Sequence, residues 1–171
     1  MGIDNSPEHV EFCRSLGLDA RLVEADQGLD AVPEGVFDFV WVSDIVEHLD
    51  APRLLLRRLQ PKLKPNGCVL LYVSTLPRSR LARSVFRRLG IVSYEAGTHY
   101  YQFTQETACF LLKRAGYRVE AVAVPLLRRR YRLLARVLRP LAPTLILEAR
   151  IDQQAERQAR EAEHKNKPTG D

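Results

Sequence analysis

The sequence predicts an α/β fold built on a mostly parallel sheet with helices on both faces. Short apolar runs of strand length alternate with segments of helical period, which is the pattern of successive strand–helix–strand units. Residues 37–42 (Phe-Asp-Phe-Val-Trp-Val) are nearly all apolar, and this predicts a central strand that is buried on both faces. A length of 171 residues suits a single domain of this kind.

The individual elements follow from this alternation and from the residues that begin and end helices. The predicted strands are residues 1–4, 20–24, 37–42, 68–73, 117–124 and 144–151. A first helix begins with Ser6 as its cap and Pro7 in its first turn, and it ends at Gly17. Residues 26–35 form a loop rich in turn residues.

The remaining helices are predicted from the same signals. A second helix covers residues 52–63, with Pro61 bending or shortening its last turn, and residues 64–67 then form a turn. A basic helix covers residues 79–89. Another begins near Thr104 and stops at Gly116.

Composition excludes several classes of protein. Hydrophobic residues make up 46% and charged residues 27%, which is ordinary for a soluble globular domain. The three cysteines are far apart and form no CxxC motif, so neither a zinc site nor a disulfide framework is predicted. The start of the chain does not resemble a signal peptide, and no apolar run reaches the ~20 residues needed to cross a bilayer. We therefore expect a cytoplasmic protein.

The net charge of +5 is concentrated in arginine-rich segments. The predicted helix from Arg128 to Arg139 places arginines on one face and leucines on the other, as in helices that lie on an anionic membrane. The alternative is that the leucines cover the sheet while the arginines face water. Residues 152–171 carry few large apolar groups and are predicted to be a charged tail.

Four segments together resemble the class I S-adenosylmethionine (SAM)-dependent methyltransferases, and most closely the group that acts on small molecules, quinones and lipids. The segments are Gly2-Ile-Asp-Asn-Ser, Phe37-Asp-Phe-Val-Trp-Val-Ser-Asp-Ile-Val-Glu-His-Leu, Leu59-Gln-Pro-Lys-Leu-Lys-Pro-Asn-Gly-Cys-Val-Leu-Leu, and His99-Tyr-Tyr-Gln-Phe-Thr-Gln-Glu-Thr with its following helix. They resemble, in order, the family's second strand, its fourth strand with the "EH" turn, the passage into strand five, and the helix before strand six.

The resemblance implies a Rossmann-like sheet of strand order 3-2-1-4-5-7-6 that lacks its first strand and first helix. The family's glycine-rich loop is expected before residue 1, so residues 1–151 are predicted to be an incomplete, N-terminally truncated SAM-dependent methyltransferase domain. Neighbouring strands lie ~4.8 Å apart, and removing a central one leaves unpaired backbone on both sides of a gap.

The candidate cofactor residues follow two of the predicted strands. Asp4, beside Asn5, comes at the carboxyl end of its strand, where open α/β sheets bind ligands. The resemblance implies that Asp4 binds the SAM ribose and that Asp26, beside Gln27, binds the adenine. The alternatives are a helix cap for Asp4 and a turn for Asp26, with Glu24 as a competitor for the adenine role.

The candidate catalytic edge follows the strand at residues 37–42. The resemblance places Ser43 beside the sulfonium of SAM. The spacing of Asp44, Glu47 and His48 predicts that the three project from one helical face. Three interpretations remain open. His48 is a general base, the three bind a divalent cation, or the Glu-His pair caps a short helix.

Three aromatic residues, His99, Tyr100 and Tyr101, lie in the loop that closes over the substrate in the family. They are predicted to form a stacking wall for the substrate. The alternative is that this loop packs on the basic helix that precedes it.

Taken together, the sequence predicts methyl transfer from SAM to a small-molecule acceptor, with oxygen favoured over nitrogen or carbon. No NPPY-like run follows residues 37–42, which argues against methylation of amino groups in nucleic acid. One rival is an inactive, methyltransferase-like binding module. The other is a nicotinamide-dependent oxidoreductase, which lacks its glycine fingerprint here.

Overall fold

The computed structural model describes residues 1–24, 28–77, 79–88, 99–125 and 142–153. Its strands are β1 (Gly2–Asp4), β2 (Ala20–Leu22), β3 (Phe37–Ser43), β4 (Leu63–Ser74), β5 (Tyr117–Ala123) and β6 (Thr144–Ile151). Its α-helices are α1 (Pro7–Ser15), α2 (Pro52–Leu59), α3 (Arg80–Arg88) and α4 (Gln105–Arg114). The predicted arginine-rich helix from Arg128 to Arg139 lies outside the described residues, as does residue range 154–171.

The described strands form two sheets. β1 and β2 pair in parallel, and the other four have the order β3-β4-β6-β5. β3 and β4 run parallel, whereas β6 runs antiparallel to both of its neighbours, β4 and β5. Written with the family's strand numbers, this is 3-2 followed by 4-5-7-6, which is the predicted order without strand one.

The hydrophobic core lies on one face of the four-stranded sheet. Alternate residues of β4 and β6 are completely buried, because successive side chains of a strand point to opposite faces. Helices α2 and α4 cover this face with their leucines. The core side chains from these elements include Leu55, Leu56, Val69, Leu71, Leu112, Leu145 and Leu147.

A buried hydrogen bond joins the helical layer to the far edge of the sheet. The Tyr117 hydroxyl, at the start of β5, donates to the backbone oxygen of Leu56 in α2 over 2.8 Å. Desolvation raises the pKa of this phenol well above its usual range, so the hydroxyl stays a donor at any ordinary pH.

Helix boundaries agree with the signals in the sequence. Thr104 caps α4 by accepting from the backbone of Thr107 at 3.2 Å, and Gly116 follows it with a φ of 91°. Ser6 caps α1 by accepting from the backbone of His9. Pro61 shortens the second helix, since the α-helix stops at Leu59 and a 3₁₀ turn (Gln60–Lys62) follows.

Two predictions of local structure were wrong. Residues 64–67 are not a separate turn. They belong to β4, which begins at Leu63, and the pairing with β3 shifts register there. β3 is also not central in its sheet. It pairs only with β4 among the described strands, and Phe39 (58% exposed) and Trp41 (48%) lie open on one face. The apolar side chains of β3 line the cavity beside it, where no described strand pairs with its second edge.

None of the helices in the described part of the chain has the length and apolar character needed to span a membrane.

Candidate functional site

A cavity of about 870 Å³ separates the two sheets. Residues from β1 line one side and residues from β3 line the other, and the 3₁₀ turn (Gly28–Ala31) and helix α2 contribute to its walls. The polar residues at its carboxyl-end rim are Asp4, Asn5, Glu24, Ser43, Asp44 and His48. The predicted cofactor and catalytic residues at the ends of β1 and β3, together with Glu24 after β2, therefore share one space, as expected for ligands bound at strand ends.

Asp4 lies exposed at the carboxyl end of β1. One of its carboxylate oxygens, Oδ1, accepts from the backbone N–H of Ser6 at 2.7 Å and lies 3.6 Å from Nδ1 of His9. These contacts fix the side chain at the start of α1, while Ser6 itself caps the helix. Asn5 donates to Glu24 over 3.5 Å, which joins the ends of the first two strands. Asp26 and Gln27 lie outside the described residues, so the adenine prediction stays a prediction.

The chain turns sharply where β3 ends. Ser43 is exposed at the cavity rim, and the next residue, Asp44, has a φ of 44°. A left-handed backbone is uncommon for a residue other than glycine. Two hydrogen bonds hold it there: the Asp44 N–H donates to Tyr72 O at 3.2 Å, and the Ser74 hydroxyl donates to the Asp44 carboxylate at 3.3 Å.

Asp44, Glu47 and His48 do not project from one helical face, and that prediction was wrong. The left-handed Asp44 precedes the helical turn, which comprises only Val46–His48 and is 3₁₀. His48 consequently points outward into the cavity rim, whereas Glu47 is 1% exposed. Among the described residues, no group of three or more His, Cys, Asp and Glu side chains is arranged to hold a metal ion.

The loop that contains the predicted aromatic wall is attached to this turn. The backbone N–H groups of Tyr100 and Tyr101 both donate to the Glu47 carbonyl oxygen, at 2.8 and 3.2 Å. The Tyr101 hydroxyl donates to Asp50 O at 3.0 Å. The His99 ring packs edge-on against His48 with 4.5 Å between ring centroids. The structure thus brings His48, His99 and both tyrosines to one place.

The buried state of Glu47 is the feature that sequence reasoning missed. Neither of its carboxylate oxygens makes a hydrogen bond of good geometry to the described residues, although the backbone N–H groups of Glu47 and Ser74 interact with the carboxylate. Desolvation raises the pKa of this carboxyl and nearby Asp44 raises it further, while backbone N–H groups and His48 lower it. The sequence signal was only the Glu-His pair, which does not distinguish a buried acid from an exposed one.

Comparison with known proteins identifies the family. A family model described as "Methyltransferase domain" matches residues 2–122. The chain belongs to this methyltransferase family. It is 32% identical over 112 residues to a protein of Xanthomonas oryzae named ubiquinone biosynthesis O-methyltransferase. The aligned region covers 58% of this chain. The chain matches 44% of the length of that curated relative, which is less than half.

Solved structures agree on the fold of this methyltransferase domain. A SAM-dependent methyltransferase from Archaeoglobus fulgidus superposes with a TM-score of 0.61 at 20% identity, covering 86% of this chain and 74% of that one. The [4+2]-cyclase SpnF superposes with a TM-score of 0.57 at 17% identity, covering 88% and 65%. The prediction of a Rossmann-like class I methyltransferase fold is confirmed, and SAM is the cofactor of the family.

The residues at the cavity rim fit this cofactor. SAM presents ribose hydroxyls, which donate to carboxylates, and a positive sulfonium, which favours oxygen atoms around it. The exposed carboxylate of Asp4 on β1 offers the first kind of partner, and Ser43 on β3 lies at the opposite rim of the same cavity. The apolar walls below them, from Ile3, Val23 and Leu29, suit the rest of a nucleoside.

Proposed function

We propose that this domain transfers a methyl group from SAM to a hydroxyl oxygen of a small molecule. The observation that carries the proposal is the joint placement of Asp4, Ser43 and His48 at the rim of one cavity, between two sheets whose strands follow the family's order. The name of the Xanthomonas relative supports oxygen as the methylated atom and a quinone precursor as the class of acceptor.

In this proposal, Asp4 and Asn5 bind the ribose, Asp26 and Gln27 bind the adenine, and Ser43 lies beside the sulfonium. His48 accepts the proton of the acceptor hydroxyl. The hydroxyl oxygen uses a lone pair to form a bond to the methyl carbon, and the electrons of the carbon–sulfur bond return to sulfur. The products are a methyl ether, neutral S-adenosylhomocysteine and a protonated His48, which then loses its proton to water.

The loop of His99, Tyr100 and Tyr101 supplies an aromatic wall for the acceptor. Tyr100 is 66% exposed, and its backbone N–H donates to the Glu47 carbonyl oxygen, so its ring is open to solvent on the loop that brings His99 against His48. An aromatic acceptor that stacks on this ring would bring its hydroxyl to the catalytic edge.

Cofactor binding is tested by titrating the 171-residue chain with S-adenosylhomocysteine in a calorimeter. We expect saturable binding that Asp4→Ala weakens at least about tenfold, because removing a charged hydrogen-bond acceptor costs roughly 1.5–3 kcal/mol. The matched control is Asp19→Ala, which removes an exposed carboxylate at the opposite end of the β1–β2 pair. A folded chain that does not bind the compound would refute the proposal.

Catalysis is tested with methyl-labelled SAM and a panel of substituted phenols. His48→Gln should lower kcat by about 10²–10⁴-fold and leave S-adenosylhomocysteine affinity unchanged, since the histidine acts on the acceptor. Binding without transfer to any phenol would instead favour the second candidate, a methyltransferase-like binding module. The similar structures include a [4+2]-cyclase, so this fold also supports chemistry other than methyl transfer. Cofactor binding and methyl transfer must therefore be measured separately.

A further inference from the structure

Helix α3 carries a positive charge that its surroundings do not neutralise. It has four arginines in nine residues and no acidic residue. It also lies within a longer stretch, residues 51–94, that contains eight arginines, two lysines and neither aspartate nor glutamate. None of the ion pairs between described residues involves Arg80, Arg83 or Arg88. The helix is therefore a basic patch on the surface of the domain.

Two large apolar side chains lie on the solvent-facing side of the same helix. Leu81 is 75% exposed, more than any other large apolar side chain in the described part of the chain, and Val85 is 43% exposed. Their i, i+4 spacing makes them neighbours on the helix surface, and Arg88 continues the same row three residues later. Arg80 and Arg88 are exposed as well. One side of α3 thus presents leucine and valine to solvent, flanked by arginines.

The segment that leads from β4 into α3 is fixed at the carboxyl edge of the sheet. The hydroxyl of Ser74, the last residue of β4, donates to the Asp44 carboxylate at the cavity rim. Two residues later, the Leu76 N–H donates to Phe103 O at 2.7 Å. A chain extends by at most ~3.5 Å per residue, so α3 begins within roughly 25 Å of Asp44. The basic helix therefore begins at the edge of the sheet that carries the candidate site.

We propose that α3 docks this domain on the surface of a membrane that contains anionic lipid. The arginines contact the lipid phosphates, while Leu81 and Val85 enter the boundary between headgroups and acyl chains. This surface is distinct from the helix predicted at residues 128–139. Docking brings the candidate site to the bilayer surface, where an acceptor with a large apolar part accumulates. Vesicle binding by α3 needs neither SAM nor an acceptor, so only that last consequence rests on the proposed function.

The exposed apolar pair favours a bilayer over a nucleic acid as the partner. Arginines alone suit the phosphates of either one. The backbone of a nucleic acid offers Leu81 and Val85 no apolar surface, whereas the boundary beneath lipid headgroups does. Removing these side chains from water is favourable in proportion to the apolar area buried. Both features of α3 are therefore used on an anionic bilayer.

Co-sedimentation of the 171-residue chain with lipid vesicles tests this docking surface. We expect binding to vesicles of phosphatidylcholine mixed with phosphatidylglycerol, and little binding to phosphatidylcholine alone. The double variant Arg80→Gln/Arg88→Gln should weaken binding about tenfold or more, since each basic residue near an anionic surface contributes roughly fivefold. Leu81→Gln/Val85→Gln should weaken it about fivefold or more at unchanged net charge, because the apolar contact is lost.

The matched control is Lys113→Gln/Arg114→Gln. It removes two exposed cations from the end of α4, just before the start of β5. Because β5 runs parallel to β4, this position is at the opposite edge of the sheet from the start of α3. The control pair should leave vesicle binding within about twofold of wild type. Circular dichroism checks that all three double variants fold, which we expect because every replaced side chain is exposed.

Several results would overturn the docking surface. The chain could stay in the supernatant with anionic vesicles, the control pair could weaken binding as much as the α3 pairs do, or either α3 pair could leave binding unchanged. Fluorescence anisotropy with a short RNA duplex provides a further comparison. Tighter binding to the RNA, lost with the arginine pair but unaffected by Leu81→Gln/Val85→Gln, would assign α3 to a nucleic acid instead.

Cofactor binding separates this inference from the proposed function. We expect Arg80→Gln/Arg88→Gln to bind S-adenosylhomocysteine like the wild type, since α3 does not line the cavity. Vesicle binding by a chain that does not bind S-adenosylhomocysteine would refute the proposed function and leave the docking surface standing. Binding of S-adenosylhomocysteine without binding to anionic vesicles would refute the docking surface alone.

Discussion

The rings of His48 and His99 meet edge to face, with their centroids 4.5 Å apart, although His48 follows β3 and His99 precedes α4. This contact joins the turn at the end of β3 to the loop that comes after β4. It gives the rim of the cavity a defined geometry, because backbone hydrogen bonds from Tyr100 and Tyr101 to Glu47 hold the loop at the same point.

The ring contact should contribute measurably to stability. His99→Ala is expected to lower the free energy of unfolding by about 1 kcal/mol, since edge-to-face ring pairs contribute roughly 0.5–1.5 kcal/mol beyond the area they bury. Urea denaturation gives the measurement. Tyr100→Ala is the control, because that side chain is mostly exposed and should matter little. Equal losses in the two variants would contradict the importance of the pair.

Replacing Glu47 with glutamine should stabilise the protein at neutral pH. The pKa of Glu47 is raised in the folded state, so the native protein holds this proton more tightly than the unfolded chain does. The wild type is therefore most stable, relative to Glu47→Gln, below the unfolded carboxyl pKa, and it loses that advantage as pH rises through the folded pKa.

Thermal unfolding of both proteins between pH 4 and pH 8 checks this sign. We expect the two to converge at the acidic end, and Glu47→Gln to be more stable by about 1 kcal/mol near neutrality, the scale of one buried polar atom without a partner. A wild type that gains stability over the variant as pH rises would show that the carboxylate has a partner after all.

The left-handed backbone at Asp44 gives a prediction that does not depend on its side chain. Asp44→Ala and Asp44→Gly both remove the hydrogen bond from Ser74. Only alanine has a Cβ that is strained at a φ of 44°, so the alanine variant should be less stable by about 1 kcal/mol. Chemical denaturation of the pair measures the difference. Identical stabilities would mean that the turn relaxes to an ordinary backbone conformation.

The hydrogen bond from Tyr117 to Leu56 should hold the β5 edge of the sheet to α2. Tyr117→Phe leaves the Leu56 carbonyl without this buried donor, and we expect a loss of about 1 kcal/mol in the free energy of unfolding. Tyr100→Phe serves as the comparison, because the Tyr100 side chain lies mostly in solvent. A Tyr117→Phe variant as stable as the wild type would imply a water in place of the hydroxyl.

Much of this fold was predictable from local sequence, because the signals were local. Thr104 and Gly116 bound α4 through a cap and a left-handed glycine, and both act within one helical turn. The apolar runs likewise predict where strands form, since a strand shows its burial in its own composition. The family's motifs added the strand order, which periodicity alone does not contain.

The sequence by itself determined the family, the order of its strands and helices, and the residues that follow β1 and β3. Only the tertiary structure decided which of those residues are buried. The spacing of Asp44, Glu47 and His48 predicted one shared face, but the backbone of Asp44 and the loop from His99 to Tyr101 sent Glu47 inward and His48 outward. That outcome depends on hydrogen bonds and packing between segments far apart in the chain, and no pattern within either segment records them.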